Sequence, residues 1–247
     1  MNLENQLTEA IKDENIKNIS AELLEIGIDE ILDNEFLKSM PIVSTIRGFT
    51  KFGLNYKDRL FTKKIITFLF QLKDVPKNER QEFIFKLDSN SEYKSKVGEK
   101  LITIIDRADE LIKVKIIGNL FKSAIQGKIS IEDFNLLCSL LNNTFIGDLM
   151  SLKKIEFNTN SEPDSFEEIL SEDVKSRLYR CSILKREIII NLKNNFKEFN
   201  FTLNGRRTDR NNLKNGLSRN VGVEKFEYEI SKEGRLILKY GFSNQAT

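Results

Sequence analysis

Apolar residues recur at helical spacing along the first part of the chain. A stripe that begins at Leu3 and reaches Leu24 predicts two helices, with a break at Asn15 or Asn18 and the end of the second near Gly27. A short helix is predicted at 31–37, and Pro41 opens the next helix because proline is accepted in a first helical turn. This pattern predicts a bundle of amphipathic helices.

The segment 41–72 is the most apolar part of the chain and predicts a hairpin of two short helices. We expect its apolar faces, with Phe68 among them, to form the core of the bundle. The alternative is an amphipathic pair that lies on anionic lipid and inserts Phe49 and Phe52. The cations near the headgroups would then be Lys51, Lys57, Arg59, Lys63 and Lys64.

Four further helical patterns follow Pro76 and bring the predicted bundle domain to residue 150. Between the last two, Gly127 predicts a helix end and Ser130 a helix start, with Asp133 three positions later as in a capping box. The sequence therefore predicts a tight helical hairpin at this turn.

The chain changes character after residue 150. The stretch 156–173 holds seven acids and no base, and residues 151–164 contain Asn, Ser and Pro163, which predicts an acidic linker at 151–164. A helix is predicted at 166–179, then strands at 186–193 and 223–230, and then a short terminal helix. The predicted fold is mainly α: a helical bundle over 1–150, the acidic linker 151–164, and a small winged-helix-like α+β module over 165–247 with a basic insertion.

Composition narrows the function classes. Of the 247 residues, 40% are hydrophobic and 31% charged, which is typical of a globular protein. Histidine is absent and there are two cysteines, so His-based catalysis and ordinary zinc sites are excluded. We find no phosphate-binding, dinucleotide-binding or EF-hand motif. We therefore expect a non-enzymatic protein with no cofactor and no metal, and a cytoplasmic location because no signal peptide or membrane-spanning run is evident.

Charge is distributed in blocks. Residues 1–35 hold ten acids against two bases, and residues 174–247 hold sixteen bases against seven acids. The densest basic cluster is Arg206, Arg207, Arg210, Lys214 and Arg219. These residues predict a site for phosphate, hence contact with the backbone of nucleic acid rather than with its bases. The alternatives are an acidic partner protein, the chain's own acidic linker, or solvent.

The apolar segments of the bundle, together with the terminal run Tyr228-x-Ile230-Ser231-x-x-Gly234, resemble uncharacterised bacterial proteins of mobile elements and phage-defence neighbourhoods. In that group a helical bundle precedes a winged-helix-like tail. The insertion at 193–222 departs from the compact form of this tail. The resemblance transfers no catalytic residue and implies a role in antiviral defence.

Two functional hypotheses follow. The first is a non-enzymatic accessory or regulatory subunit of bacterial phage defence, which binds a protein partner and, through its basic module, nucleic acid. The alternative is a membrane-disrupting abortive-infection effector that uses the hairpin 41–72 on anionic membranes. The sequence predicts no particular oligomeric state.

Overall fold

A computed structural model of the chain describes residues 2–28, 30, 34–48, 55–89, 97–158, 170–191 and 222–242. The chain divides into two compact units. Unit 1 comprises residues 1–143 and 236–247, and unit 2 comprises residues 144–235.

All regular secondary structure among the described residues of unit 1 is helical. Its helices are α1 (Leu3–Lys12), a 3-10 turn (Glu14–Asn18), α2 (Ala21–Glu25), α3 (Glu35–Ser39), α4 (Pro41–Gly48), α5 (Tyr56–Phe70), α6 (Lys77–Ser89), α7 (Val97–Arg107), α8 (Leu111–Ile125), α9 (Ile131–Asn143) and a terminal π-helical turn (Ile237–Gly241). The predicted bundle is confirmed, and α5 and α8 lie at its centre, packed against each other.

The centre of unit 1 is built around Phe121 of α8. Its ring centroid lies 5.5 Å from that of Phe68, 5.6 Å from Phe83 and 5.3 Å from Phe134, in tilted and edge-on geometries that aromatic pairs favour. Beside it, a Cβ added at Gly118 would lie 2.6 Å from Cγ of Gln71, so α5 and α8 approach as closely as they do because residue 118 has no side chain.

The hairpin 41–72 forms part of this core, as expected. Ile42, Val43 and Ile46 of α4 are buried, and α5 buries eight consecutive residues from Thr62 to Leu69. Because a helix that is buried around most of its circumference belongs in a protein interior, the core interpretation of the described residues is confirmed.

Buried cations join the helices of unit 1. Four of them donate hydrogen bonds to backbone carbonyls where another helix ends: Lys63 to Ile26, Lys64 to Asp106 (2.7 Å), Arg80 to Ile11 and Asp13 (2.7 Å to the latter), and Lys113 to Asn142 (3.5 Å). The last carbonyls of a helix lack intrahelical partners and carry the negative end of its dipole. A cation there donates hydrogen bonds to these carbonyls and interacts favourably with the dipole. Lys63 and Lys64 are therefore structural residues and not headgroup contacts.

The predicted turn between α8 and α9 is also confirmed. Gly127 has φ +67°, its N–H donates to Ala124 O at 3.0 Å, and Lys128 N–H donates to Ser123 O at 2.9 Å. This is a Schellman ending, in which glycine accepts the left-handed conformation. Ser130 Oγ then accepts a hydrogen bond from Asp133 N–H at 3.0 Å and starts α9.

Unit 2 contains three helices and a two-stranded antiparallel ribbon among its described residues. These are α10 (Ile146–Asn158), α11 (Glu172–Arg180), β1 (Leu184–Asn191), β2 (Gly222–Ile230) and α12 (Lys232–Leu236), of which the final residue falls in unit 1. The register runs from Leu184 opposite Ile230 to Asn191 opposite Gly222, with one irregularity between Ile189 and Ile190. Both predicted strands are confirmed.

The unit bounds differ from the predicted domain bounds at three places. The first stretch of unit 1 ends at residue 143 and not at 150. Helix α10 continues through residues 151–158 of the predicted linker, because Leu149, Leu152 and Ile155 form a buried face at three-residue spacing. The chain also returns to unit 1 at Leu236, where Asn119 Nδ2 donates to Gly241 O at 2.8 Å. Residues 159–164 lie outside the described part.

Candidate nucleic-acid interface

The predicted basic cluster belongs to the connection between β1 and β2. Arg206, Arg207, Arg210, Lys214 and Arg219 all lie outside the described residues. The described strands nevertheless hold both ends of the connection together, because Asn191 pairs with Gly222. Residues 192–221 therefore link two strand ends that are paired with each other, and they number 30.

Helix α11 leads into the ribbon through a tight turn. Cys181 N–H donates to Arg177 O at 3.1 Å, and Ile183 N–H donates to Leu178 O at 2.9 Å. Ser182 between them takes φ 59°, a left-handed value that reverses the chain direction within three residues. Ile183 is fully buried, so the turn fixes the end of α11 against the start of β1.

An aromatic and basic cluster lies at this junction. The guanidinium carbon of Arg186 lies 4.6 Å from the ring centroid of Tyr179, within the range of a cation–π contact. The ring of Tyr228, which faces Arg186 across the ribbon, lies edge-on to Tyr179 at 6.3 Å. Tyr228 is buried, whereas 38% of Tyr179 is exposed and Arg180 beside it is exposed as well. The cluster thus presents one tyrosine, held from two sides, to solvent.

Three other cations of this region are neutralised by carboxylates of unit 2. Arg177 makes a two-pronged ion pair with the buried Asp148 at 2.7 and 2.8 Å, which ties α11 to the first turn of α10. The remaining two are ordinary ion pairs: Lys175 with Glu172 at 2.9 Å, and Lys185 with Glu229 at 2.6 Å. The hydrogen bond from Lys185 lowers the pKa of Glu229. Each of these three cations therefore has a carboxylate partner within unit 2.

Sequence reasoning missed the cluster of Tyr179, Arg180 and Arg186. A signal was present, since residues 175–186 contain five bases and no acid. The predicted binding site was the denser basic cluster at 206–219. The contact between Arg186 and the ring of Tyr179 is evident only in the folded structure.

The run Tyr228-x-Ile230-Ser231-x-x-Gly234 has a structural explanation. Ser231 Oγ accepts from Gly234 N–H at 2.9 Å and donates to Ser182 O at 2.7 Å, which caps α12 and attaches it to the α11–β1 turn. A Cβ at residue 234 would lie 2.3 Å from Ile183 O, so glycine is required there. Ser231 and Gly234 thus have structural roles in the module.

The second predicted surface is described only in part. Lys57 is exposed in the first turn of α5, whereas Phe49, Lys51 and Phe52 lie outside the described residues. Among the helices that the structure describes, none has the combination of length and apolar character that a membrane crossing needs.

The described residues bring together no group of three or more acidic or cysteine side chains suited to a metal ion. Of the two thiols, Cys138 is fully buried in α9, and burial raises its pKa well above the usual cysteine value. A neutral thiol in an apolar interior acts as a small packing group.

Comparisons with known proteins add no assignment. No protein-family model matches the chain, and neither a curated protein nor a solved structure matches it.

Proposed function

We propose that the protein is a non-enzymatic nucleic-acid-binding protein that contacts the phosphate backbone through unit 2. The observation that carries this proposal is the pairing of Asn191 with Gly222, which gathers a strongly basic connection at one end of the ribbon. Residues 192–221 contain seven bases and two acids. Cations confined to a closed connection repel one another, and a phosphate backbone relieves this repulsion with release of its counterions.

The order of elements in unit 2 supports a winged-helix-like module. Helices α10 and α11 precede the ribbon, as two helices precede the wing in such modules, and α11 runs directly into β1. In helix-turn-helix proteins the second helix lies against the nucleic acid. Among the described helices α11 corresponds to that helix, and the predicted basic insertion lies between β1 and β2 in the sequence.

The wider role that we propose is an accessory or regulatory subunit of antiviral defence, with unit 1 as the part that binds a protein partner. Phe85 of α6 supports a partner surface, because its side chain is 73% exposed. The membrane-disrupting alternative has less support. Two of its proposed headgroup contacts, Lys63 and Lys64, are buried against backbone carbonyls, and the described apolar residues of α4 are in the core.

Fluorescence anisotropy of labelled duplex and single-stranded oligonucleotides across a salt series tests the proposal. The first variant replaces Arg206, Arg207 and Arg210 by alanine. We expect wild-type binding at low salt and weaker binding by the variant. The logarithmic salt slope should fall by about 0.7–0.9 for each phosphate group that the variant no longer neutralises.

The matched control replaces Lys86, Lys115 and Lys128 of unit 1 by alanine. All three are exposed, so the control removes the same formal charge from the other unit. Equal weakening in both triple variants would indicate a general charge effect and contradict the proposed site. Absence of wild-type binding at low salt would remove nucleic acid from the function altogether.

A further inference from the structure

We infer that Tyr179 is a stacking platform for an unpaired base, and hence that unit 2 prefers single-stranded nucleic acid. This inference rests on the proposed function and adds the class of nucleic acid and a base-contacting residue. The observations that carry it are the geometry and exposure of the cluster formed by Tyr179, Arg180, Arg186 and Tyr228.

The ring of Tyr179 is held in place before any ligand binds. Arg186 lies over it at 4.6 Å and Tyr228 meets it edge-on at 6.3 Å with an interplanar angle of 71°. Tyr228 is only 6% exposed, so it is a fixed support. A ring already restrained from two sides loses little conformational entropy when a base stacks on it.

Tyr179 is 38% exposed and has one cationic group at its ring and another next to it in sequence. Arg180 is the next residue along α11 and is exposed, and Arg186 is part of the cluster itself. A partly exposed aromatic ring with one guanidinium group over it and an arginine next in sequence matches the chemistry of a nucleotide, in which a flat base is attached to an anionic phosphate. A solvent-exposed tyrosine without neighbouring cations would not show this complementarity.

Single-stranded nucleic acid fits this arrangement better than duplex. In a duplex both faces of each base are covered by neighbouring pairs, whereas an unpaired base can turn out and stack on an aromatic ring. Stacking on a ring does not require a particular base, so the preference is for strand state and not for sequence. In the proposed function the phosphate backbone is bound in either form, so a strand preference comes from Tyr179.

The test compares wild-type protein with Tyr179→Ala and Tyr179→Phe on single-stranded oligonucleotides and on a duplex of the same length. We expect Tyr179→Ala to weaken single-strand binding by about 5- to 150-fold, which corresponds to the removal of one base–aromatic stack. Duplex binding should change by less than about twofold, and Tyr179→Phe should retain single-strand binding because the ring remains. Equal weakening on both ligands, or no weakening on either, would overturn the inference while leaving the proposed backbone binding intact.

A second measurement uses the wild-type protein and so does not depend on how the variants fold. An oligonucleotide that carries 5-iodouracil is irradiated in the complex, and the cross-linked peptide is identified by mass spectrometry. We expect the cross-link at Tyr179. Cross-links confined to other residues would overturn the inference, and so would a wild-type protein that binds only duplex. Failure of the proposed function itself is recognised separately, since the wild-type protein would then bind neither ligand at low salt.

Discussion

Replacement of Phe68 by alanine should destabilise unit 1 severely. Phe68 lies in α5, is fully buried, and has its ring centroid 5.5 Å from that of Phe121. Removing the ring forfeits about 1.5–3 kcal/mol of transfer free energy. It also leaves a cavity between α5 and α8, which brings the expected destabilisation to about 3–5 kcal/mol. This is a large share of the ~5–15 kcal/mol that stabilises an ordinary domain.

Phe85→Ala is the matched control because it makes the same chemical change on the surface of unit 1. The side chain of Phe85 is 73% exposed, so its removal should change the free energy of unfolding by no more than about 0.5 kcal/mol. The assay is urea unfolding followed by far-ultraviolet circular dichroism. Equal unfolding midpoints for Phe68→Ala and wild type would refute the placement of α5 at the core and would return the hairpin 41–72 to the surface.

Two further changes test the packing and the electrostatics of unit 1. Gly118→Ala should lower the free energy of unfolding by about 1–3 kcal/mol, because its Cβ would lie 2.6 Å from Cγ of Gln71 and force α5 away from α8. The same urea assay measures this loss, and an unchanged midpoint would contradict the close approach. Asp109 lies 2.8 Å from the buried Lys113, and although burial alone would raise its pKa, the hydrogen bond and charge of Lys113 lower the pKa overall. The resulting stabilisation is complete above the usual aspartate pKa of about 3.9 and is lost as the pH falls through the lowered pKa. Asp109→Asn should therefore flatten the acid limb of a plot of unfolding midpoint against pH. An acid limb identical to that of wild type would count against the ion pair.

The sequence predicted well those features that depend on local pattern. The helix stripes, the Gly127–Ser130 turn and the alternation in β2 each result from interactions between residues close in sequence. Glycine accepts the left-handed turn because it has no side chain, and alternation places one face of a strand inward in any fold. These features could be predicted without knowing which helix packs on which.

Features that depend on distant neighbours could not be predicted. The spacing of Lys63 and Lys64 is compatible with a polar helix face, yet both are buried because the ends of α2 and α7 lie beside them and present unpaired carbonyls. The linker was predicted from its acids and Pro163, whereas α10 continues through residues 151–158 because its apolar side chains are buried.

The sequence by itself determined the mainly helical class, the two strands and the excess of positive charge between them. Tertiary structure alone decided that unit 1 is completed by the last turn of the chain and that Tyr179 and Arg186 form one cluster. Tyr179 and Arg186 are seven positions apart in different elements, and no periodicity relates a residue at a helix end to one in a following strand. Their contact results from the left-handed turn at Ser182 and from the register that sets Arg186 opposite Tyr228. Charge can therefore be counted from the sequence, but the orientation of an aromatic ring beside a guanidinium group is fixed only when the chain has folded.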